Sequence, residues 1–215
     1  MKKILLFLIT LFIFSFAKSS FANSQILYQN YQDEINSAQI YLNKLKTLSA
    51  KFIQLNPDST SIVNGEFFLE RPGKLLIRYN SPFKMDYFII NENFIQYDYD
   101  LDQVTRADTG KSPLNILLYK GVNLQNNKLM DLTNISSEKN FFELYFVNKT
   151  EDLSEEVSGL ILKFTKLPVE LISIKRVDES GKTTELVLSN IQQDRKFDNT
   201  IFNFRRPSKK YPTAK

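Results

Sequence analysis

The chain contains no histidine, no cysteine and no tryptophan. Without histidine it lacks the commonest metal ligand and the commonest general base, and no Ser-His or Cys-His nucleophilic pair can be assembled. Without cysteine there are no disulfides, so an exported form would rely on burial and hydrogen bonds, which a chain of 215 residues with 42% hydrophobic content can supply as one domain. Only six glycines and seven prolines occur, with no low-complexity run, which argues against a fibrous or disordered chain. Long apolar runs are scarce too. The longest, Ile4 to Phe14, is shorter than the ~20 residues a bilayer span needs.

That run is preceded by Lys2 and Lys3 and followed by Ser20-Phe21-Ala22, with small residues where a signal peptidase reads. The expectation is a secretory signal over residues 1–22, cleaved after Ala22, and a single domain over 23–215. Residues 1–22 carry Lys2, Lys3 and Lys18 and no acid, so their removal brings the net charge of +4 close to neutrality. Nucleic acid is then not expected as a partner. A basic cluster remains at Arg205, Arg206, Lys209, Lys210 and Lys215, either a solvated terminus or a patch for an anionic surface.

The expected domain opens with a helical pattern. Tyr28, Tyr31, Ile35, Ala38, Leu42 and Leu45 recur at three- and four-residue steps between Gln25 and Leu48, giving an amphipathic helix whose stripe covers a sheet. After it the period falls to two. Strand-like runs follow at Ala50–Leu55, Ile62–Glu70, Lys74–Tyr79, Met85–Ile90, Phe94–Tyr99 and Gln103–Ala107. Others lie at Leu129–Ile135, Phe141–Val147, Gly159–Thr165, Glu170–Val177, Thr183–Asn190 and Ile201–Phe204. Their short links imply antiparallel order, and so many strands must curl around an apolar interior. One interruption, Ser112-Pro113-Leu-Asn-Ile-Leu-Leu118, has a cap-like serine and a proline at the first helical position, so it reads as a short helix or a surface turn.

The pattern centres on Gly65 to Tyr79, two strand-like runs around Arg71-Pro72-Gly73. Gly65, Phe67, Leu69 and Arg71 share one parity, an apolar row ending in a guanidinium, while Leu76 falls on the opposite parity of the next run and is expected to face outward. Arg71 either lies flat with its head in water or aims a fixed fork of donors at a cavity mouth. The interior is either a packed core or a cup under a helical lid. Asp98, Asp100 and Asp102 have the spacing of a calcium loop, but Gln103 and Thr109 stand where that loop requires glycine and a bidentate glutamate, so no metal is expected. No cofactor is expected, and no carboxylate pair can be nominated for catalysis.

Phe52-Ile-Gln54 after the helix, Gly65 to Arg71-Pro72, Tyr97-Asp98 leading to Gln103-Val104-Thr105, and Ser112-Pro113 to Leu118 resemble, in that order, the outer-membrane lipoprotein carrier family of the LolA type. The chain departs from that family in having no tryptophan, with Ile77 at one position where the family often has one. The resemblance implies a mainly β fold, an unclosed antiparallel β-barrel covered by an N-terminal helix and a short lid helix. It also implies a periplasmic chaperone, not an enzyme, that holds the acyl chains of lipoproteins in an apolar cavity. Its partners would be acylated lipoproteins, an inner-membrane lipoprotein-releasing ABC transporter and an outer-membrane acceptor, with the carrier a monomer. In the family the arginine matching Arg71 bonds lid-helix carbonyls and holds the empty cavity shut. Candidate lid residues are Pro113, Leu114, Leu117 and Leu118. The candidate lining is Leu42 and Leu45 on the helix, Phe67, Leu69, Leu75 and Ile77 on the central strands, and Leu114 and Leu117 on the lid. The alternative is a periplasmic binding protein for a small lipid or other amphiphile.

Overall fold

Alternating side chains from Thr47 onward build one antiparallel sheet of eleven strands. The computed structural model describes residues 28–56, 62–109, 112–149, 159–178, 180–198 and 200–207. The expected signal over residues 1–22 and the tail residues Lys209, Lys210 and Lys215 lie outside them. In chain order the elements are α1 (Gln32–Lys44), β1 (Thr47–Leu55), β2 (Val63–Glu70), β3 (Lys74–Tyr79), β4 (Met85–Ile90), β5 (Asn93–Asp98), β6 (Gln103–Asp108) and α2 (Asn115–Leu118). They continue with β7 (Met130–Ser137), β8 (Phe141–Asn148), β9 (Gly159–Lys166), β10 (Val169–Val177) and β11 (Thr183–Gln193).

The strand order is β6-β5-β4-β3-β2-β1-β11-β10-β9-β8-β7, so β1 is central and the last strand returns to pair with it. β6 and β7 are the two edges, and among the described residues they do not pair; the barrel is unclosed. The chain between those edges carries α2 from one to the other. Side chains from strands on both sides of β1, such as Leu75 and Ile89 on one side and Leu144 and Leu162 on the other, share one apolar cluster. The sheet therefore wraps around its inner face, as a many-stranded sheet with one apolar side must.

The parity reading of the central strands holds. Gly65, Phe67, Leu69 and Arg71 are all buried on the inner side. Gly65 has a specific reason to be glycine, because a Cβ there would stand 2.7 Å from the Phe52 ring and collide with the Arg78 carbonyl. With no side chain on β2 at that point, Phe52 of β1 reaches across to Tyr79 of β3, ring centroids 5.2 Å apart.

Leu76 does not face water. It is fully buried in a second apolar cluster with Phe88, Ile95, Phe197 and Phe202. The segment after β11 folds back over the outer face of the N-terminal half of the sheet, and Arg206 Nε bonds Asp102 Oδ1 at 2.9 Å on that side. Ile201–Phe204, expected as a strand, forms no ladder; it contributes apolar side chains to this outer cluster. Asp98 serves its turn, its Oδ1 accepting the N–H groups of Asp100 and Leu101.

The N-terminal helix ends earlier than its apolar spacing suggests. It closes at Lys44, Leu45 is already extended, and Leu48 belongs to β1. Asp33 and Glu34 in the first turn and Lys44 in the last match the helix dipole. Its buried stripe, Ile35, Ala38, Tyr41 and Leu42, packs toward β9 and β10, with the Tyr41 ring 5.7 Å from that of Phe164. Glu34 fastens this end of the helix by accepting from Ser137 Oγ at 2.7 Å and from Lys166 Nζ at 3.2 Å. Among the described residues no helix is long and apolar enough to cross a membrane.

Candidate functional site

α1 packs against β9 and β10, and where none of its residues reaches, a cavity remains, lined from β1 to β5 and from β10 and β11. That cavity measures about 420 Å³, within the roughly 300–1,000 Å³ of small-molecule sites. Phe67, Leu75, Ile77 and Ile89 form its apolar floor, and Leu114, just before α2, overhangs it. An aromatic row crosses it from strand to strand: Tyr79 and Tyr87 have centroids 5.4 Å apart, Tyr87 and Phe94 5.7 Å. Tyr79 donates to Gln54 Oε1 at 2.7 Å, and burial pushes the phenol's pKa well above its ordinary value. A second recess of about 310 Å³ shares Gln54, Tyr79 and Tyr87 and continues toward Phe83 and Met85.

Of the expected lining, Phe67, Leu75, Ile77 and Leu114 meet at the cavity. Leu42, Leu45, Leu69 and Leu117 are buried in the same apolar cluster, within its packed part rather than along the cavity wall. Sequence reasoning missed Tyr87, Ile89, Phe94 and Gln96, although their alternation on β4 and β5 was there to follow. It also missed Ile174 and Arg176, for which parity was misleading.

The lid is one α turn, Asn115–Leu118, entered through tighter bonds from Asn115 N to Ser112 O (3.0 Å) and from Ile116 N to Pro113 O (3.3 Å). Ser112 Oγ accepts from Leu114 N at 3.4 Å, so the serine heads the turn as its type suggests. Ile116, Leu117 and Leu118 are buried beneath it. The lid is moored at several points. Gly73, with φ of +78°, donates its N–H to Leu118 O at 3.0 Å, and Asn115 Nδ2 donates to Thr109 O at 2.6 Å. Tyr119 donates to Glu92 Oε1 at 2.6 Å; burial first, and then that carboxylate, push its pKa up to about 12. Asn43 of α1 exchanges two bonds with the backbone of Val122, at 2.8 and 2.9 Å.

Arg71 lies two residues from the glycine that holds the lid. Its side chain is 8% exposed, and Nε and Nη2 are buried without a hydrogen-bond partner. Leu118 O, a lid carbonyl, is taken by Gly73 N–H. Burial pulls the Arg71 pKa from its ordinary value down to about 10. Arg71 borders a third cavity, of about 460 Å³, with Leu45, Lys46, Glu70 and Lys120.

The family model described as outer membrane lipoprotein carrier protein LolA matches residues 43–205 of this sequence. The chain belongs to the LolA family. An outer-membrane lipoprotein carrier protein of Nitrosospira multiformis is 28% identical over 81% of this chain and 85% of its own length. A protein of the same description from Methylococcus capsulatus is 26% identical over 78% and 81%. An uncharacterized protein of Rickettsia prowazekii is 25% identical over 96% of this chain and 89% of that protein. The crystal structure of a LolA superfamily protein from Nitrosomonas europaea aligns with 80% of this chain and 97% of that one, at 12% identity and a TM-score of 0.44. The LolA match takes in the end of α1, the whole sheet and the lid, so the cavity and Arg71 both lie within it.

Proposed function

We propose that this LolA-family protein is a periplasmic carrier that encloses acyl chains of lipoproteins in the cavity over Phe67 and Ile77, beneath Leu114, and moves them from the inner to the outer membrane. Loading would come from an inner-membrane lipoprotein-releasing ABC transporter, and delivery would be to an outer-membrane acceptor. The observation that carries this reading is an apolar cavity on the inner face of an unclosed barrel, roofed by a moored single-turn lid. An acyl chain loses about 0.8 kcal/mol per methylene on leaving a membrane, on the order of 10 kcal/mol for a chain of ordinary length, so passage between membranes needs such a surface.

Arg71 is the proposed gate. A cation enclosed with unpaired donors disfavours the arrangement that encloses it, and opening the lid beside it would let water in. The lid would thus rest closed on its moorings and its buried leucines, with Arg71 biasing it toward opening when an acyl chain offers compensation.

The test is binding of a fluorescent acyl probe to folded variants. Leu114→Glu and Phe67→Glu place a charge that must be desolvated when the chain enters, and each should weaken binding at least tenfold. Ile53→Glu, on the outer face and 46% exposed, should leave it unchanged. Equal affinities for all three would overturn the placement of the ligand.

A further inference from the structure

Positive charge collects at the end of the sheet where β1 begins and β2 ends. Lys44 closes α1, Lys46 stands just before β1, Arg71 just after β2, and Lys120 just after the lid, and the fold brings all four to the cavity of about 460 Å³. Lys44, Lys46 and Lys120 are exposed, whereas Arg71 is buried with Nε and Nη2 unpartnered. The carboxylate in the lining, Glu70, is engaged elsewhere, accepting from Lys74 Nζ at 2.6 Å. Asp194, whose N–H donates to Thr47 O at 3.2 Å, is not in the lining, and none of the four cations forms an ion pair with a described residue. The acid-bearing stretches outside the described residues, 57–61, 150–158 and 179, join β1, β8 and β10 at the opposite end of the sheet, where Leu55, Glu185 and Lys175 are in register.

Like charges gathered around one recess favour an anion that enters it. The C-terminal dipole of α1 opposes an anion there, and Lys44 in its last turn offsets that. Charge thus selects an anion, and depth selects how it arrives. A bilayer presents its phosphates in a plane, which meets the exposed lysines but does not reach a buried arginine. A carboxylate on the stem of a Glu or Asp side chain reaches in and matches the planar fork.

We infer that this cavity is the docking site of an acidic segment of a protein partner, whose carboxylate pairs with Arg71, favours the enclosed, empty arrangement and drives the acyl chain out. The inference rests on the gate reading of Arg71 above and supplies the signal for release. The four cations come from the end of α1, the start of β1, the end of β2 and the exit from the lid, so one bound segment ties the lid to the sheet. Segment and acyl chain oppose each other reciprocally, each weakening the other's binding by the same factor.

The experiment titrates the full chain with a hexaglutamate peptide at neutral pH and low ionic strength, with hexaglutamine as the uncharged control, and repeats the fluorescent acyl-probe titration with the peptide saturating. Hexaglutamate should bind, and Lys44→Gln, Lys46→Gln and Lys120→Gln combined should weaken it about tenfold, the sum expected of three exposed charge pairs. The same exchange at Lys51, Lys84 and Lys128, exposed lysines outside the cavity lining, should weaken it by about twofold at most. Bound peptide should weaken the acyl probe about tenfold in the wild type and have no effect on it in Arg71→Met. No binding of hexaglutamate, equal losses in the two triple exchanges, or acyl affinity untouched by bound peptide overturns the inference while the gate reading stands. Binding to phosphatidylglycerol vesicles through Lys44, Lys46 and Lys120, without binding to the peptide, overturns it too and identifies a membrane surface as the occupant. An Arg71→Met protein that binds the acyl probe as the wild type does, with no peptide present, overturns the gate reading and this inference with it.

Discussion

Replacing Arg71 by methionine should make the empty protein more stable. Arg71 is 8% exposed, two of its guanidinium nitrogens are buried without acceptors, and burial lowers its pKa from the ordinary value to about 10. At 1.36 kcal/mol per pH unit that fall corresponds to about 3 kcal/mol against the enclosed charge. For a base whose folded pKa is depressed, this penalty operates at every pH below about 10 and is relieved only as pH rises toward the unfolded value. Methionine fills similar space with no charge, and exchanges of this kind in protein interiors are neutral or stabilising by about 1–4 kcal/mol. Part of the buried stem's packing is lost, so a gain of about 1–3 kcal/mol is expected, or about 3–10 °C in Tm for a chain of this size. Because the gain belongs to the enclosed arrangement, the same variant should bind an acyl probe more weakly, about tenfold per 1.4 kcal/mol. Thermal unfolding and probe titration on one preparation measure both. A lower Tm together with tighter binding would refute the reasoning, and would mean that Arg71 holds the lid through bonds to its carbonyls.

Gly65→Val should destabilise by about 1–3 kcal/mol, since the added carbons meet the Phe52 ring and the Arg78 carbonyl; Phe52→Leu in the same chain should recover part of the loss in Tm. Acid should loosen the helix from the sheet. Burial pushes the Glu34 carboxyl up, but the Ser137 hydroxyl, a backbone bond and the Lys166 ammonium outweigh it and hold its pKa below the ordinary 4.5. A depressed carboxyl stabilises above its unfolded pKa and ceases to do so as pH falls through the folded one. Tm should therefore decline below about pH 4.5, with a shallower decline in Glu34→Gln; identical pH profiles would remove Glu34 from that role.

Much of this architecture was legible because period two is a local property. Gly65, Phe67, Leu69 and Arg71 could be assigned to one buried face from spacing alone, and the short links made antiparallel order the simple solution. Three features were hidden for identifiable reasons. Leu45 and Leu48 keep helical spacing beyond Lys44, yet the chain is extended from Leu45, and Leu48 begins the inward row completed by Ala50 and Phe52. The outer cluster has a local trace in β3, where Leu75, Leu76 and Ile77 are apolar on both parities, a pattern of strands covered on both faces. What covers Leu76 comes from more than a hundred residues away, at Phe197 and Phe202, and spacing carries no information about that. Arg176 is the third, because a bulge between Leu171 and Ser173 resets the alternation and leaves no residue-type signature.

The central claim, that the cavity carries acyl chains attached to a polypeptide, is tested most directly by mass spectrometry of whatever co-purifies with the full-length chain from a periplasmic extract. The account predicts acylated polypeptide, present on the wild type and depleted on Leu114→Glu. Free lipid or another small amphiphile alone, or acylated polypeptide retained equally by Leu114→Glu, would contradict it.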